Sequence, residues 1–260
     1  MNNNLVLKTD DGPVRLLTLN RPERRNALNR VLMSQLGDEL DHAAITPSVR
    51  VLILNGAGTC FCAGMDLSRA AIDHDADESE AIDDANMIAD LIDQVHMFPK
   101  PTIAALNGDA FGGGAGLALC CDVVIAADQA RIGYPEVQRG LVAAVVLHDL
   151  VRLAGLVIAR RLLLTGEPIS ARDAVEHGLI QATYPSDHIL SSAIDFAKTL
   201  TRCAPMALAT TKRLLDEATN RPKNLRGAAA VSAAIRVSEE ATEGIRAFFE
   251  KRPPEWFQPT

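Results

Sequence analysis

The stretch Asn107 to Asp122, NGDAFGGGAGLALCCD, limits the fold more than any other part of the chain. The run before it, PTIAAL from Pro101 to Leu106, reads as a strand, and Gly112, Gly113 and Gly114 then open into the apolar segment Ala115 to Cys121. A strand, a glycine turn and a helix start in that order expose backbone N–H groups, because the first helical turn has no internal acceptors for them. With no side chains in the way, such a turn receives an oxygen bearing negative charge. The spacing is not that of a phosphate loop, since no Lys-Ser/Thr follows, and no acidic residue closes a dinucleotide-binding unit. Close helix packing is the competing explanation for three glycines.

A second turn of the same kind follows the apolar run Val51 to Asn55: GAGTCFCAGMDL, Gly56 to Leu67. Two strand-to-turn units brought side by side by right-handed crossovers could each offer one N–H to a single oxygen. Around them the chain alternates strand and helix signals. Leu5 to Lys8 and Val14 to Leu19, split by Asp10, Asp11, Gly12 and Pro13, read as a hairpin. Asn26 or Asn29 can cap a helix over about Leu28 to Ile45. Helical periodicity resumes near Ala85 and stops at Phe98 before Pro99 and Pro101, and Asp122 to Ala127 reads as a strand. Val145 to Ala154, Val157 to Leu164 and Ala171 to His177 read as helices, as does the tail from Ser186. This alternation predicts an α/β fold with a mostly parallel sheet flanked by helices.

Composition matters here for what it excludes. The chain has 260 residues, 48% hydrophobic and 23% charged, with a formal net charge of −7. That is a globular composition with room for a sizeable core, and its acidic balance argues against nucleic acid as a partner. The opening MNNNLVLKTDDG lacks a basic segment followed by an apolar one, and no apolar run reaches spanning length, so neither a signal peptide nor a membrane is expected. The five cysteines, Cys60, Cys62, Cys120, Cys121 and Cys203, are odd in number and lie mostly in apolar runs. They are expected as buried, reduced thiols of a cytoplasmic protein, and Cys60-x-Cys62 has no second pair for zinc.

Several polar residues stand out. Arg21, Arg24 and Arg25 crowd the loop NRPERRNALN, either as a solvated turn or as a phosphate contact suited to guanidinium forks. Asp66 is expected to cap a helix start. His74 lies in the acidic segment Ser68 to Asp84, expected to be a mobile surface stretch beside the site. Glu136, in RIGYPEVQRGL, follows Pro135 among Ile132, Tyr134 and Val137. An apolar setting raises a carboxyl pKa and suits it to proton transfer near neutral pH. His148 and Asp149 suggest hydrolase chemistry only weakly, because no G-x-S-x-G elbow accompanies them. Phe248, Phe249, Lys251 and Arg252 form apolar and basic patches that suggest packing on another subunit.

NRPERRNALN, GAGTCFCAGMDL, NGDAFGGGAGLALCCD, YPEVQRGL, LLLTGEPISARDAVEHGLI and FFEKRPPEW stand in the order and spacing of the enoyl-CoA hydratase/isomerase, or crotonase, family, which the whole chain resembles. The resemblance implies a spiral of ββα units over residues 1–195, holding an acyl-CoA site. It also implies a helical C-terminal region, residues 196–260, that packs on neighbouring subunits in a homotrimer or a hexamer of paired trimers. The implied ligand is an acyl-CoA thioester, with coenzyme A as part of the substrate and no metal or redox cofactor. By the same resemblance the oxyanion donors fall on Met65 and Gly113. Arg24 with Ala27 and Leu28 matches the CoA-contacting loop, and Ala63, Met65 and Asp66 the edge that meets adenine and pantetheine. Phe248 and Lys251 match residues that reach a neighbour's CoA.

One departure bears on the chemistry. Two-glutamate hydratases of this family carry their first glutamate where this chain has Gly116, leaving Glu136 alone. Hydration by one carboxylate requires it to take a proton from water and give one to the α-carbon. Isomerisation of a 3-enoyl to a 2-enoyl thioester needs only one base. The E-V-x-x-G-L-V block also resembles the branch that hydrates branched enoyl-CoAs, such as methylglutaconyl-CoA, so hydration is the first expectation and isomerisation the second. Decarboxylation or thioester hydrolysis would need polar groups near Ala143 and Ala144, and a catalytically silent acyl-CoA binder is the remaining alternative.

Overall fold

The computed structural model describes residues 4–68, 78–218 and 225–254. Strands β1 (Val6–Asp11) and β2 (Val14–Leu19) pair antiparallel as a hairpin, followed by a 3-10 turn at Pro22–Arg24 and helix α1 (Arg30–Ile45). Asn29 caps α1, its side chain accepting from Leu32 N at 2.8 Å. The unit then repeats: β3 (Val51–Gly56), β4 (Cys60–Cys62) and α2 (Glu78–His96); β5 (Thr102–Leu106), β6 (Asp109–Phe111) and α3 (Gly113–Leu119); β7 (Val123–Ala127) and β8 (Arg131–Gly133). A 3-10 helix, Pro135–Arg139, leads to α4 (Leu147–Thr165), β9 (Ile169–Ser170), α5 (Ala171–Glu176) and β10 (Ala182–Tyr184). Four helices finish the chain: α6 (Ile189–Thr201), α7 (Pro205–Ala218), α8 (Leu225–Arg236) and α9 (Glu239–Glu250).

Each repeat gives its strands to two different sheets, which is what winds the chain into a spiral. The larger sheet has the order β1-β2-β3-β5-β7-β10 and the smaller β4-β6-β8-β9. From β2 onward the larger sheet is parallel. Its central strands β3 and β5 are buried along their whole length, as parallel strands covered on both faces must be. Leu52, Leu54, Ala104 and Leu106 face the main core with Leu32, Leu36, Leu40 and Ile92. The alternate residues Val51, Ile53, Ile103 and Ala105 pack on Ile189, Ala193 and Ala197 of α6. Full burial of each such large aliphatic side chain contributes about 1.5–3 kcal/mol.

Two sequence expectations shift. Helix α2 begins at Glu78, earlier than Ala85, because Glu78 and Glu80 in its first turn favour the positive end of the helix dipole although they interrupt apolar periodicity. Residues 69–77, including His74, lie outside the described residues. The two helices expected between Val145 and Leu164 are both present as the two halves of α4, divided at Gly155, whose φ of 71° and ψ of 169° are not helical. Four cysteines are buried as expected, whereas Cys203 is exposed. Among the C-terminal helices, α8 packs along α2 and α9 on the 3-10 helix. A Cβ on Gly244 of α9 would stand 2.3 Å from the Arg139 carbonyl oxygen, so that crossing depends on glycine.

Candidate active site

The two glycine turns meet. Ala63 N donates to Arg25 O at 3.0 Å, Leu28 N to Gly64 O at 2.8 Å and Asp66 N to Leu28 O at 2.9 Å, forming a short parallel bridge between Leu28 and Met65. The bridge uses the groups on either side of Met65 N–H, which has no acceptor among the described residues. Asn26, buried and at φ 56°, fastens this loop: its amide donates to the carbonyls of Ala57, Cys60 and Phe61, and its oxygen accepts from Arg21 N. On the other turn, Gly112 N donates to Gly133 O at 2.9 Å, while Gly113 N–H begins α3 and also has no acceptor among the described residues. A Cβ on Gly64 would lie 2.8 Å from Phe111 O and 3.4 Å from Gly113 N, so the turns touch only because that side chain is missing.

Met65 and Gly113 line a cleft of about 440 Å³, and Glu136 lines it with them. Gly140, in the left-handed region at φ 67°, ends the 3-10 helix that carries Glu136. The carboxylate lies against Gly112, where a Cβ would be 2.6 Å from Oε1. Its Oε2 is buried and has no hydrogen-bond partner. Burial pushes the Glu136 pKa up from 4.5 to about 7, partly opposed by its own backbone N–H and by the Arg139 charge. A carboxyl poised there gives and takes protons near neutral pH.

The wall beyond Glu136 is apolar: Val142, Ala143, Ala144, Val145 and Val146. Gly116, one helical turn after Gly112, faces Val146. A Cβ on Gly116 would stand 2.1 Å from Val146 Cγ1 and 3.3 Å from Ile92 Cδ1.

Residues 10–259 match the profile of the enoyl-CoA hydratase/isomerase family. The chain belongs to this family. It is similar to the 2,3-dehydroadipyl-CoA hydratase of Escherichia coli, 37% identical over 94% of each chain. It is also similar to an enoyl-CoA isomerase/hydratase of Mycosarcoma maydis, 34% identical over 92% of this chain and 90% of the other. Among solved structures, an enoyl-CoA hydratase from Mycobacterium avium superposes with a TM-score of 0.87 at 34% identity, covering 99% of this chain and 100% of the other. The ββα spiral is thus the crotonase fold.

Within this enoyl-CoA hydratase/isomerase chain, Arg24, Ala27, Ala63, Met65, Asp66, Gly113, Glu136 and Phe248 all line the cleft. Leu28 lies behind it, buried, with its backbone bridged to Met65. Lys251 is exposed at the end of α9, at φ 54°, and stands off the cleft. Phe248 reaches the cleft of its own chain, and its ring receives the Arg139 guanidinium at 4.4 Å. Asp66 accepts from Ser68 N at 3.0 Å and pairs with Arg21; burial works to raise its pKa, but the bonds from Ser68 and then Arg21 hold it low, and the helix start it was expected to cap would fall at residues 69–77, outside the described residues. Sequence reasoning missed Arg139, Ser232 and Arg236 on the cleft. Arg139 lies inside the quoted YPEVQRGL block, where a 3-10 spacing of three from Glu136 marks it. Arg236 had no such signal. Among the described residues no group of His, Cys, Asp and Glu could hold a metal ion, and no helix is long and apolar enough to cross a membrane.

Proposed function

We infer that the chain hydrates a 2-enoyl-CoA thioester, with Glu136 as the single acid-base group and the N–H groups of Met65 and Gly113 holding the thioester oxygen. The observation that carries this reading is the buried, unpartnered Oε2 of a carboxyl with a pKa near 7, in the same cleft as two free backbone donors. Glu136 takes a proton from water, and the water oxygen bonds to the β-carbon. The double-bond electrons move through the α-carbon onto the thioester oxygen as an enolate. The α-carbon then takes the proton from Glu136 and the carbonyl re-forms. Charge develops on that oxygen only during reaction, so preorganised donors act on the barrier, each by about 3–4 kcal/mol.

Isomerisation is the second reading, favoured by Gly116, where Val146 fills the place of a second carboxylate. There Glu136 would remove the α-proton of a 3-enoyl-CoA and return it at the γ-carbon. Two cationic residues at the mouth, Arg24 and Arg25, support contact with CoA phosphates. The same reading carries a cytoplasmic location and assembly into trimers or hexamers, in which Lys251 and the exposed Phe248 and Phe249 meet a neighbour.

Ultraviolet absorbance of the conjugated thioester tests the reaction. Loss of conjugation from a trans-2-enoyl-CoA is expected with the wild type and not with Glu136→Gln. A flat trace across trans-2-enoyl esters, together with a rise from a 3-enoyl-CoA, would identify an isomerase instead. A silent binder would hold CoA esters equally well with either residue and turn over none.

A further inference from the structure

Two separate groups of side chains line the cleft, each with a cationic member. In one, Arg25 lies 5.9 Å from the Phe111 ring and Arg139 stacks on Phe248, a cationic and aromatic rim suited to the phosphates and adenine of CoA. In the other, Ala85 and Ile88 of α2 face Ser232 and Arg236 of α8. Ile88 presses on the Gly113 turn, since a Cβ on Gly113 would meet its Cδ1 at 2.6 Å. An acyl chain leaving the oxyanion donors away from the CoA rim therefore enters the α2–α8 end.

A guanidinium waits there with donors to spare. Arg236 Nη1 donates to Asp84 Oδ2 at 2.9 Å and touches the Met65 sulfur at 3.3 Å. Asp84 also receives Arg30 through its other oxygen, so one carboxylate is shared between two guanidinium groups. Nε and Nη2 of Arg236 have no acceptor among the described residues, and the side chain is only 12% exposed. Ser232, one turn earlier on α8, brings a hydroxyl to the same end. Met65 also limits the reach: its N–H is the proposed thioester donor and its sulfur touches the guanidinium at 3.3 Å, so the two are at most one methionine side chain and one contact apart. That span suits a short acyl chain.

Resting on the reading of this cleft as an acyl-CoA site, we propose that Arg236, supported by Ser232, recognises a carboxylate at the far end of a short acyl chain. The substrate class is then a dicarboxylic 2-enoyl-CoA. Asp84 holds the guanidinium in place by one nitrogen and leaves the fork of Nε and Nη2 for a bidentate, charge-assisted pair.

Calorimetric titration with the saturated esters adipyl-CoA and hexanoyl-CoA tests this without any turnover. Wild type is expected to bind adipyl-CoA about 10- to 100-fold more tightly, the range for hydrogen bonds to a charged group. Arg236→Met should bring that ratio to about one, and Ser232→Ala should lower it about threefold. Equal binding of the two esters by wild type, or a ratio that survives Arg236→Met, would overturn the proposal. Should Arg236→Met fail to fold, Arg236→Lys answers the same question, because a point charge without the fork must lose most of the ratio. A failure of the hydratase reading has a different signature: the binding ratio persists while no enoyl ester turns over.

Discussion

Gly112 and Gly116 are one helical turn apart, and the same absent side chain does opposite things at the two positions. At Gly112, with φ at 52°, the space is occupied by the Glu136 carboxylate, 2.6 Å from where a Cβ would be. At Gly116 it is occupied by the Val146 methyl groups. One glycine makes room for the Glu136 carboxylate; the other belongs to an apolar wall that admits no such group. In this chain the position that the resemblance gives to a second glutamate is closed by Val146, and burial lifts the Glu136 pKa toward neutrality.

Four substitutions and conditions probe that contrast. The largest effect falls on Glu136→Gln, which should lower kcat about a thousandfold in the absorbance assay, within the range for removing a general acid-base group. Next is Gly112→Ala: its Cβ meets Oε1 in a backbone region costly for alanine, and displacing the carboxylate should reduce kcat about 100-fold. Third, Gly116→Glu alone should destabilise by about 3 kcal/mol or more in urea unfolding, from overpacking against Val146 and a buried charge. Combining it with Val146→Gly should recover part of that loss, and a double-mutant cycle should show coupling of about 1 kcal/mol or more. Additive effects would mean that Val146 does not fill the site.

The smallest effect is a stability change with pH. Glu136 is raised above its ordinary value of 4.5, so the folded protein binds this proton more tightly than the unfolded chain. That stabilisation is complete below about pH 4.5 and is lost as pH rises through about 7. Above neutrality the ionised, buried carboxyl costs up to about 3 kcal/mol. Glu136→Gln should thus be more stable than wild type at pH 8, with the difference shrinking toward pH 5, in thermal unfolding across that range.

Much of the site could be read from the chain because it is built of backbone. A turn that exposes N–H groups needs glycines at fixed places after a strand, so Gly113 and the Met65 turn are visible as GGG and AGMD. The Asn29 cap and the proline that starts the Glu136 turn are equally local signals. Contacts made by distant side chains have no such signature. Nothing near Val146 marks it as the occupant of Gly116, and nothing near Arg236 points to Asp84 or to Met65, far away in the chain. Asn26 shows the intermediate case: an asparagine beside a helix start suggested a cap, but its left-handed backbone turns its amide onto three carbonyls of the next unit.

We propose that one buried carboxyl, with its charge discouraged by its surroundings, carries the proton transfers. The dependence of kcat/KM on pH, measured with a trans-2-enoyl-CoA, tests it most directly. A rise through a single ionisation near pH 7, absent from the residual rate of Glu136→Gln, is expected. A profile that is flat from pH 5.5 to 8.5, or one whose ionisation persists in Glu136→Gln, would contradict it.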